Sequence, residues 1–369
     1  MPQPNHIPTP IRARISRAAW QHNLALLRAT APNSKMLAVI KANAYGHGAV
    51  EAARTLDDAD AFGVARLGEG LELREAGVTK PIVLMEGVFS AHELALALQY
   101  ELDLVVHDES QIVMLEAAAV HPAKSVSPRV VWLKLDTGMG RLGFVPSAAS
   151  GVAARLRSLA VVGELRVMTH FARADEARST MTLEQVSRFD AAVKELASPA
   201  TGLANSAAIL QWPATHRDWV RAGIALYGAS PVAGQSAADL GLQPVMTLTT
   251  RVIALRELQP GDTVGYGATW RASRASRVAT LAAGYADGLP RHLPGGSPVL
   301  VNGQRAPLVG RVSMDMITVY VTDVPGVQVG TEAVLWGEGL PVDEMASAAG
   351  TISYELLCAV ARRVAFEYR

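Results

Sequence analysis

The run MLAVIKANAYGHGAVEAARTLDDADAFGVA, residues 36 to 65, holds the fold in miniature. It opens with the apolar residues Met36 to Ile40, turns through small residues after Lys41, continues into a helix-compatible stretch and reaches a second apolar run, Ala61 to Ala65. Short apolar runs bounded by turn residues read as strands covered on both faces, which is the signature of a parallel sheet. The same rhythm recurs at Ile82 to Leu84, Leu102 to Val106, Val130 to Leu135, Leu165 to Thr169, Thr201 to Ala204 and Trp219 to Ile224, eight strands in all. Between them, Trp20, Leu24 and Leu27 recur at helical spacing, as do Val186, Phe189, Val193 and Leu196 after a capping-box pattern at Thr182 and Gln185. An open doubly wound sheet uses similar elements, but eight successive βα units are what a closed barrel requires. The expectation is an α/β protein with an N-terminal (β/α)8 TIM barrel.

Beyond Gln235 the texture changes. Turn signals recur at Pro260-Gly261-Asp262, Pro294-Gly295-Gly296 and Pro325-Gly326, and a helical pattern returns only near Ser353 to Ala365. Asn302-Gly303, set between Val299 to Val301 and Ala306 to Val309, is a hairpin signal because both central residues of a type I′ turn need positive φ. The predicted division is a barrel over residues 1–237 and a mostly β domain over 238–369, with Gly234 to Gly241 as linker and residues 1–15 free to pair with the second domain.

Composition narrows the function. Thirty-four basic residues balance thirty-four acidic ones, which leaves no net field to draw the chain to nucleic acid or an anionic membrane. No apolar run approaches the roughly 20 residues that cross a bilayer. Met1 to Pro10 is polar and proline-rich without an export signal, so a cytoplasmic enzyme acting on a small molecule is expected. The single cysteine, Cys358, sits among Leu356, Leu357, Ala359 and Val360 and reads as a small core residue. No zinc-binding or serine-hydrolase motif is present, so no metal site is expected.

Functional groups of a barrel collect at the carboxyl ends of its strands. Lys41 follows the first apolar strand directly; a lysine against apolar walls can lose its proton and then form a Schiff base, although a lone strand-end lysine more often reaches to solvent. Asn205 and Ser206 follow strand seven, while Arg221, Gly223 and Ile224 end strand eight. The seventh and eighth loops are the usual phosphate cradle, and Ser206 with Gly223 and Ile224 fits one; taken singly, Ser206 is more often an N-cap and Gly223 a packing glycine. Lys134, inside an apolar strand, needs a partner or a modification. Gly138-x-Gly140-x-x-Gly143 matches a dinucleotide fingerprint but is separated from any helix by Phe144, Val145 and Pro146, which counts against that use. His170 ends strand six, and Tyr266 stands between glycines that would let another surface approach.

Together these segments resemble the alanine racemase family, enzymes that use pyridoxal 5′-phosphate (PLP) on a barrel followed by a β domain. The resemblance runs over nearly the whole chain and in order. It is carried by residues 38 to 48, Asp136 to Phe144, Met168 to Asp175, Asn205-Ser206, Arg221 to Gly228, Gly265 to Trp270, 282 to 288, 309 to 316 and 352 to 355. Ser313 stands where some relatives carry cysteine.

The resemblance implies that Lys41 binds PLP covalently and that Tyr45, Asn205, Ser206, Gly223, Ile224 and Tyr354 help hold the cofactor. Arg221 would face the pyridine nitrogen, with His170 holding Arg221; Arg141 would bond the phenolic oxygen and touch substrate; Lys134 is the candidate for carbamylation. Lys41 and Tyr266 would be two bases on opposite faces of the substrate carbon, with Tyr266 supplied by the other chain of a homodimer, Met314 and Asp315 lining the substrate side and Tyr285 narrowing the entrance. A tyrosine has an ordinary pKa near 10, so cationic neighbours must assist it. The implied activity is interconversion of L- and D-alanine, for peptidoglycan supply or alanine catabolism. Broader action on serine or larger amino acids is the alternative, because one methylene of misfit discriminates only about tenfold to a few hundredfold. A barrel-type PLP decarboxylase ranks lower for want of a cysteine in the expected region, and a non-catalytic PLP carrier lacks the β domain.

Overall fold

In the computed structural model, which describes residues 9–120 and 127–369, the eight apolar runs all become strands of one closed parallel barrel. The absence of an export signal was read from a segment that, before residue 9, lies outside the described residues. After β1 (Arg12–Ile15), the barrel strands are β2 (Lys35–Val39), β3 (Ala61–Val64), β4 (Ile82–Leu84), β5 (Asp103–Val106), β6 (Arg129–Lys134), β7 (Val162–Met168), β8 (Thr201–Gly202) and β9 (Trp219–Ala222), and β9 pairs back onto β2. Most strand residues are buried whichever way they point, as sheets covered on both faces demand. Trp132 and Trp219 meet edge to face at 5.6 Å, and the Arg166 guanidinium lies over both rings.

The chain divides into two compact units. One comprises Gln21–Leu226 and Ser230–Leu242 and contains the barrel; the other comprises residues 9–20, Tyr227–Ala229 and Gln243–Arg369. The second unit is mostly β: β10 (Met246–Leu258), β11 (Thr263–Val264), β12 (Trp270–Arg271), β13 (Ser276–Leu281), β14 (Pro298–Val301), β15 (Gln304–Val309), β16 (Ile317–Tyr320), β17 (Glu332–Trp336) and β18 (Ala365–Tyr368) join β1. β10 pairs with β17 along its first half and with β13 from Val252 onward, across a bulge between Val252 and Ala254, so the sheet returns on itself. β1 lies between β10 and β18. Asn302 and Gly303 take φ of 52° and 75° in the hairpin joining β14 to β15, the left-handed pair that the Asn-Gly dipeptide announced.

Three local expectations are corrected. Thr182 and Gln185 do not cap a helix; the helix Thr180–Val193 is capped by Ser179, and both residues are buried within it. Ser206 is not an N-cap either, because Asn205 takes that role by accepting the Ala208 N–H at 3.0 Å. Cys358 is exposed: the helix Ser353–Cys358 buries Ser353, Leu356 and Leu357 and turns Cys358 outward. The second unit also has a helix at Val342–Ala348, while the predicted helical stretch ends at Cys358 and its last residue, Ala365, opens β18. Among the described residues, no helix is long and apolar enough to cross a membrane, and no cluster of potential ligands could hold a metal ion.

Candidate active site

The carboxyl end of β2 delivers Lys41, and the chain then enters a left-handed turn. Ala42, Asn43, Ala44 and Tyr45 have φ between 50° and 54° and Gly46 has 80°. Left-handed conformation costs a non-glycine residue roughly 1–2 kcal/mol, so several in succession persist only where other bonds hold them. Here Ala44 N–H donates to Ile40 O, Gly48 N–H to Asn43 O, and the Asn43 side chain accepts Ala49 N–H at 2.8 Å. The buried His47 faces the carbonyls of Tyr45 (2.9 Å) and Ala44 (3.1 Å) with Nδ1. Burial pushes its pKa down to about 4, so near neutral pH it is uncharged and carries its proton on the nitrogen that faces these acceptors. The Glu69 carboxylate accepts Ala42 N–H at 2.6 Å.

The turn buries Tyr45 against the loop after β9. Gly223 leaves this space open: a Cβ there would lie 2.9 Å from the Tyr45 hydroxyl, close enough to force a shift, and 3.7 Å from Ser206 Oγ. Ser206 Oγ accepts Gly223 N–H at 2.8 Å and Ala225 N–H at 3.4 Å, which leaves its own O–H to donate. Two hydroxyls and the backbone at residues 223 to 225 thus converge, with Ile224 between the two bonded amides. Asn205 stands beside them as the helix cap.

Arg221 is buried, and backbone carbonyls bind it: Nη1 donates to Gly202 O (2.8 Å), Nη2 to Thr169 O (2.7 Å) and Leu203 O (3.0 Å). Thr169, next to His170 in the chain, supplies one of these carbonyls, and the end of β8 supplies the other two. Arg221 Nε has no hydrogen-bond partner among the described residues. Burial lowers this guanidinium to about 10, which still leaves it charged near neutral pH. Lys134, almost wholly buried on β6, is lowered to about 8 by burial first, then by Arg221 and Arg141, with Glu86 opposing. Burial and then Arg221, Lys134, Arg141 and Lys41 push His170 well below the ordinary imidazole value. One rim thus gathers four cationic side chains and a histidine kept neutral by burial first and by those cations second, a setting that suits an anionic ligand.

The glycine-rich loop after β6 is built around Asp136. One carboxylate oxygen accepts the N–H groups of Gly138, Met139 and Gly140 at 2.9–3.1 Å, and a Cβ on Gly143 would meet Asp136 N at 2.6 Å. This loop carries the exposed Arg141, and with Lys134 and His170 it lines a small cleft. Gln185, which looked like a capping residue, donates to His170 O (3.0 Å) and Thr137 Oγ1 (3.2 Å) and accepts Ala172 N–H (3.0 Å). It ties the loops after β6 and β7 together, a role that rests on contacts remote in sequence and leaves no mark along the chain.

The remaining predicted residues belong to the second unit. Tyr266 starts a short turn between Gly265 and Gly267, both at positive φ, and is 69% exposed. The Arg311 guanidinium lies 3.3 Å from where a Cβ on Gly267 would be. Tyr285 N–H donates to Ser313 O and Ala286 N–H to Met314 O, both at 3.0 Å. Asp287 is buried, accepts Gly284 N–H and pairs with Arg363, which also reaches Asp315 at 2.8 Å. Tyr285, Met314 and Asp315 are thereby brought together on one laced surface. Tyr354 is exposed on the helix Ser353–Cys358.

Comparison with known proteins places nearly the whole chain in one family. Residues 15–231 match the family model for the alanine racemase N-terminal domain and residues 245–368 that for the C-terminal domain. The chain is 51% identical over 361 residues to an alanine racemase of Azoarcus sp. (strain BH72), covering 98% of this chain and 99% of that one. It is 48% identical to that of Pectobacterium carotovorum, covering 96% and 98%. Among solved structures, the biosynthetic alanine racemase from Pseudomonas aeruginosa superposes with a TM-score of 0.94 at 49% identity over 98% of this chain and all of that one. The alanine racemase from Acinetobacter baumannii gives 0.90 at 40% identity, over 97% of this chain and 99% of that one.

Proposed function

The chain belongs to the alanine racemase family and is an isomerase that racemises alanine; on that premise we propose that it works with PLP, that Lys41 and Tyr266 move the protons, and that each active site is completed by a second copy of the chain. The observation that carries the cofactor assignment is Arg221: a buried guanidinium with an unpartnered Nε, beside a cradle of two hydroxyls and backbone amides that only glycine at 223 leaves open. These residues fit an aromatic phosphate. When bound, PLP supplies the conjugated electron-withdrawing system that makes the substrate's α-proton removable.

Lys41 holds the cofactor covalently, and Tyr45, Ser206, Asn205 and the backbone of Gly223 and Ile224 receive its phosphate, joined by Tyr354. Arg221, which can only donate, would offer its Nε–H to the ring nitrogen of the bound cofactor and supply no proton to it. His170, kept neutral, adds no charge at that position. Arg141 bonds the cofactor's phenolic oxygen and the substrate carboxylate. At Lys134 the lowered pKa leaves a neutral fraction of amine that can add to CO2, forming an N–C bond and releasing a proton; the resulting anion would orient Arg141.

Racemisation needs a proton-carrying group on each face of the α-carbon, because one group alone tends to return the proton to the side it left. Lys41 Nζ serves one face and Tyr266 Oη the other. Tyr266 and Met314 stand exposed on a single chain, large side chains that a partner subunit would cover. Met314 and Asp315 line the substrate side and Tyr285 narrows the way in. We assign the enzyme to the cytoplasm, supplying D-alanine for peptidoglycan; the likeness to a biosynthetic enzyme supports this over catabolism, and deletion of the gene is expected to impose a D-alanine requirement.

The test is the visible spectrum of the purified protein and of Lys41→Ala, with D-alanine formation followed from L-alanine. Wild type is expected to be yellow, with its cofactor fixed to residue 41 by borohydride; the variant should be inactive in both directions. A colourless, active wild type would overturn the assignment.

A further inference from the structure

The left-handed turn after Lys41 needs an external hold, and its residues show where the hold comes from. The Ala42 and Asn43 side chains are exposed, so packing does not keep the turn in shape at its start. Its first N–H, on the residue next to the reacting lysine, goes to Glu69 Oε1 at 2.6 Å. The other carboxylate oxygen accepts Ala65 N–H at 2.7 Å and Arg66 N–H at 3.0 Å, where β3 passes into the helix Leu67–Glu75. Glu69 thus bridges the loop after β2 to the loop after β3, and both of its oxygens act as acceptors at once. An ionised carboxylate does this without conflict; an amide would have to point its NH2 at one of the N–H groups.

We propose that Glu69 is a positioning residue for the racemisation: by bonding the Ala42 N–H it fixes the peptide plane that follows Lys41 and keeps the turn left-handed, which aims both the Lys41 amine and the Tyr45 hydroxyl. Released from that bond, the turn relaxes toward right-handed backbone and swings both side chains. Nothing in the assigned chemistry requires Glu69 to touch substrate or cofactor. The inference rests on the assignment of Lys41 above.

Glu69 also serves as a helix cap, and Glu93 supplies the matched control. Glu93 occupies the same position on the next helix, Ala91–Gln99, where its carboxylate accepts Phe89 N–H at 2.6 Å and Ser90 caps in return, with no bond to the lysine turn. The experiment compares holoenzymes of wild type, Glu69→Gln, Glu69→Asp and Glu93→Gln. Aspartate keeps the charge and can still cap the helix but falls one methylene short of Ala42. Both Glu69 variants are expected to lower kcat at least about tenfold with KM for alanine within about twofold, as misplacement of a reacting group does. The primary deuterium isotope effect should rise from one enantiomer only, since Lys41 removes the α-proton of one and Tyr266 that of the other. PLP should also leave the Glu69 variants faster in exchange against excess apoenzyme scavenger, while Glu93→Gln stays at wild-type values. The proposal is overturned if the Glu69 variants behave like Glu93→Gln, or if their loss follows lowered melting temperature with equal isotope effects from both enantiomers. If borohydride fixes no cofactor to Lys41 in wild type, the underlying assignment has failed instead.

Discussion

Lys134 has a reactivity decided by its surroundings. As a cation it is disfavoured by burial and by Arg221 and Arg141, so its pKa falls to about 8, and the neutral amine gains as pH rises through that value. Intact mass at pH 8.5 in bicarbonate should therefore show an acid-labile increment of one CO2 that is missing at pH 6 in CO2-free buffer, and Lys134→Ala should lack it at both. Gly223 acts through absence of volume. Its φ is ordinary, so Gly223→Ala introduces no backbone strain, only a methyl 2.9 Å from the buried Tyr45 hydroxyl. Overpacking of this kind costs about 1–3 kcal/mol, and PLP affinity, measured by absorbance titration of apoenzyme, is expected to fall roughly tenfold or more. Lys41, Ser206, Arg221 and Gly223 could be picked out from strand-end positions, but Gln185 could not: its role comes from loops that only folding brings to it.

Elements were legible where burial leaves a one-dimensional trace. The barrel strands are covered on both faces and so appear as apolar runs, and the Asn302-Gly303 hairpin follows from the positive φ of both residues. The left-handed turn left no such trace, because Ala, Asn, Ala and Tyr have no common preference for it and its stability is borrowed from Glu69 and His47. The short helix Val342–Ala348 escaped because it buries little beyond Val342, Met345 and Ala346. At the start of β5, Asp103 is buried and its carboxyl is raised to about 6, by burial against the opposing pull of Val130 N–H and nearby arginines. Its ionised form is thus the one that folding penalises: the penalty is complete above about pH 6 and disappears as pH falls toward the unfolded value near 4. Asp103→Asn, which keeps the acceptor for Val130 N–H, should raise stability by on the order of 1–2 kcal/mol at pH 7.5 and by almost nothing at pH 4, read from denaturant melts at the two values.

For the whole molecule, shared active sites make a prediction that a self-contained chain cannot meet. Lys41→Ala and Tyr266→Phe should each be nearly inactive. In a mixed dimer one site carries both lesions and the other neither, so unfolding and refolding the two together should restore roughly a quarter of wild-type activity under random pairing of a two-fold dimer. No recovery would mean that Lys41 and Tyr266 act within one chain or not as a pair. By itself the sequence determined the succession of eight βα units, the change to β structure beyond them and the residue types waiting at the strand ends, because hydrophobic period and turn chemistry are local properties written along the chain. The tertiary structure alone decided that Arg221 would be held by carbonyls with its Nε unsatisfied, that Gly223 would leave room between two hydroxyls, and that a glutamate on the helix after β3 would bond the first N–H of the turn beside Lys41. Those are outcomes of distance between segments remote in sequence, and electrostatics, volume and hydrogen bonding act through distance.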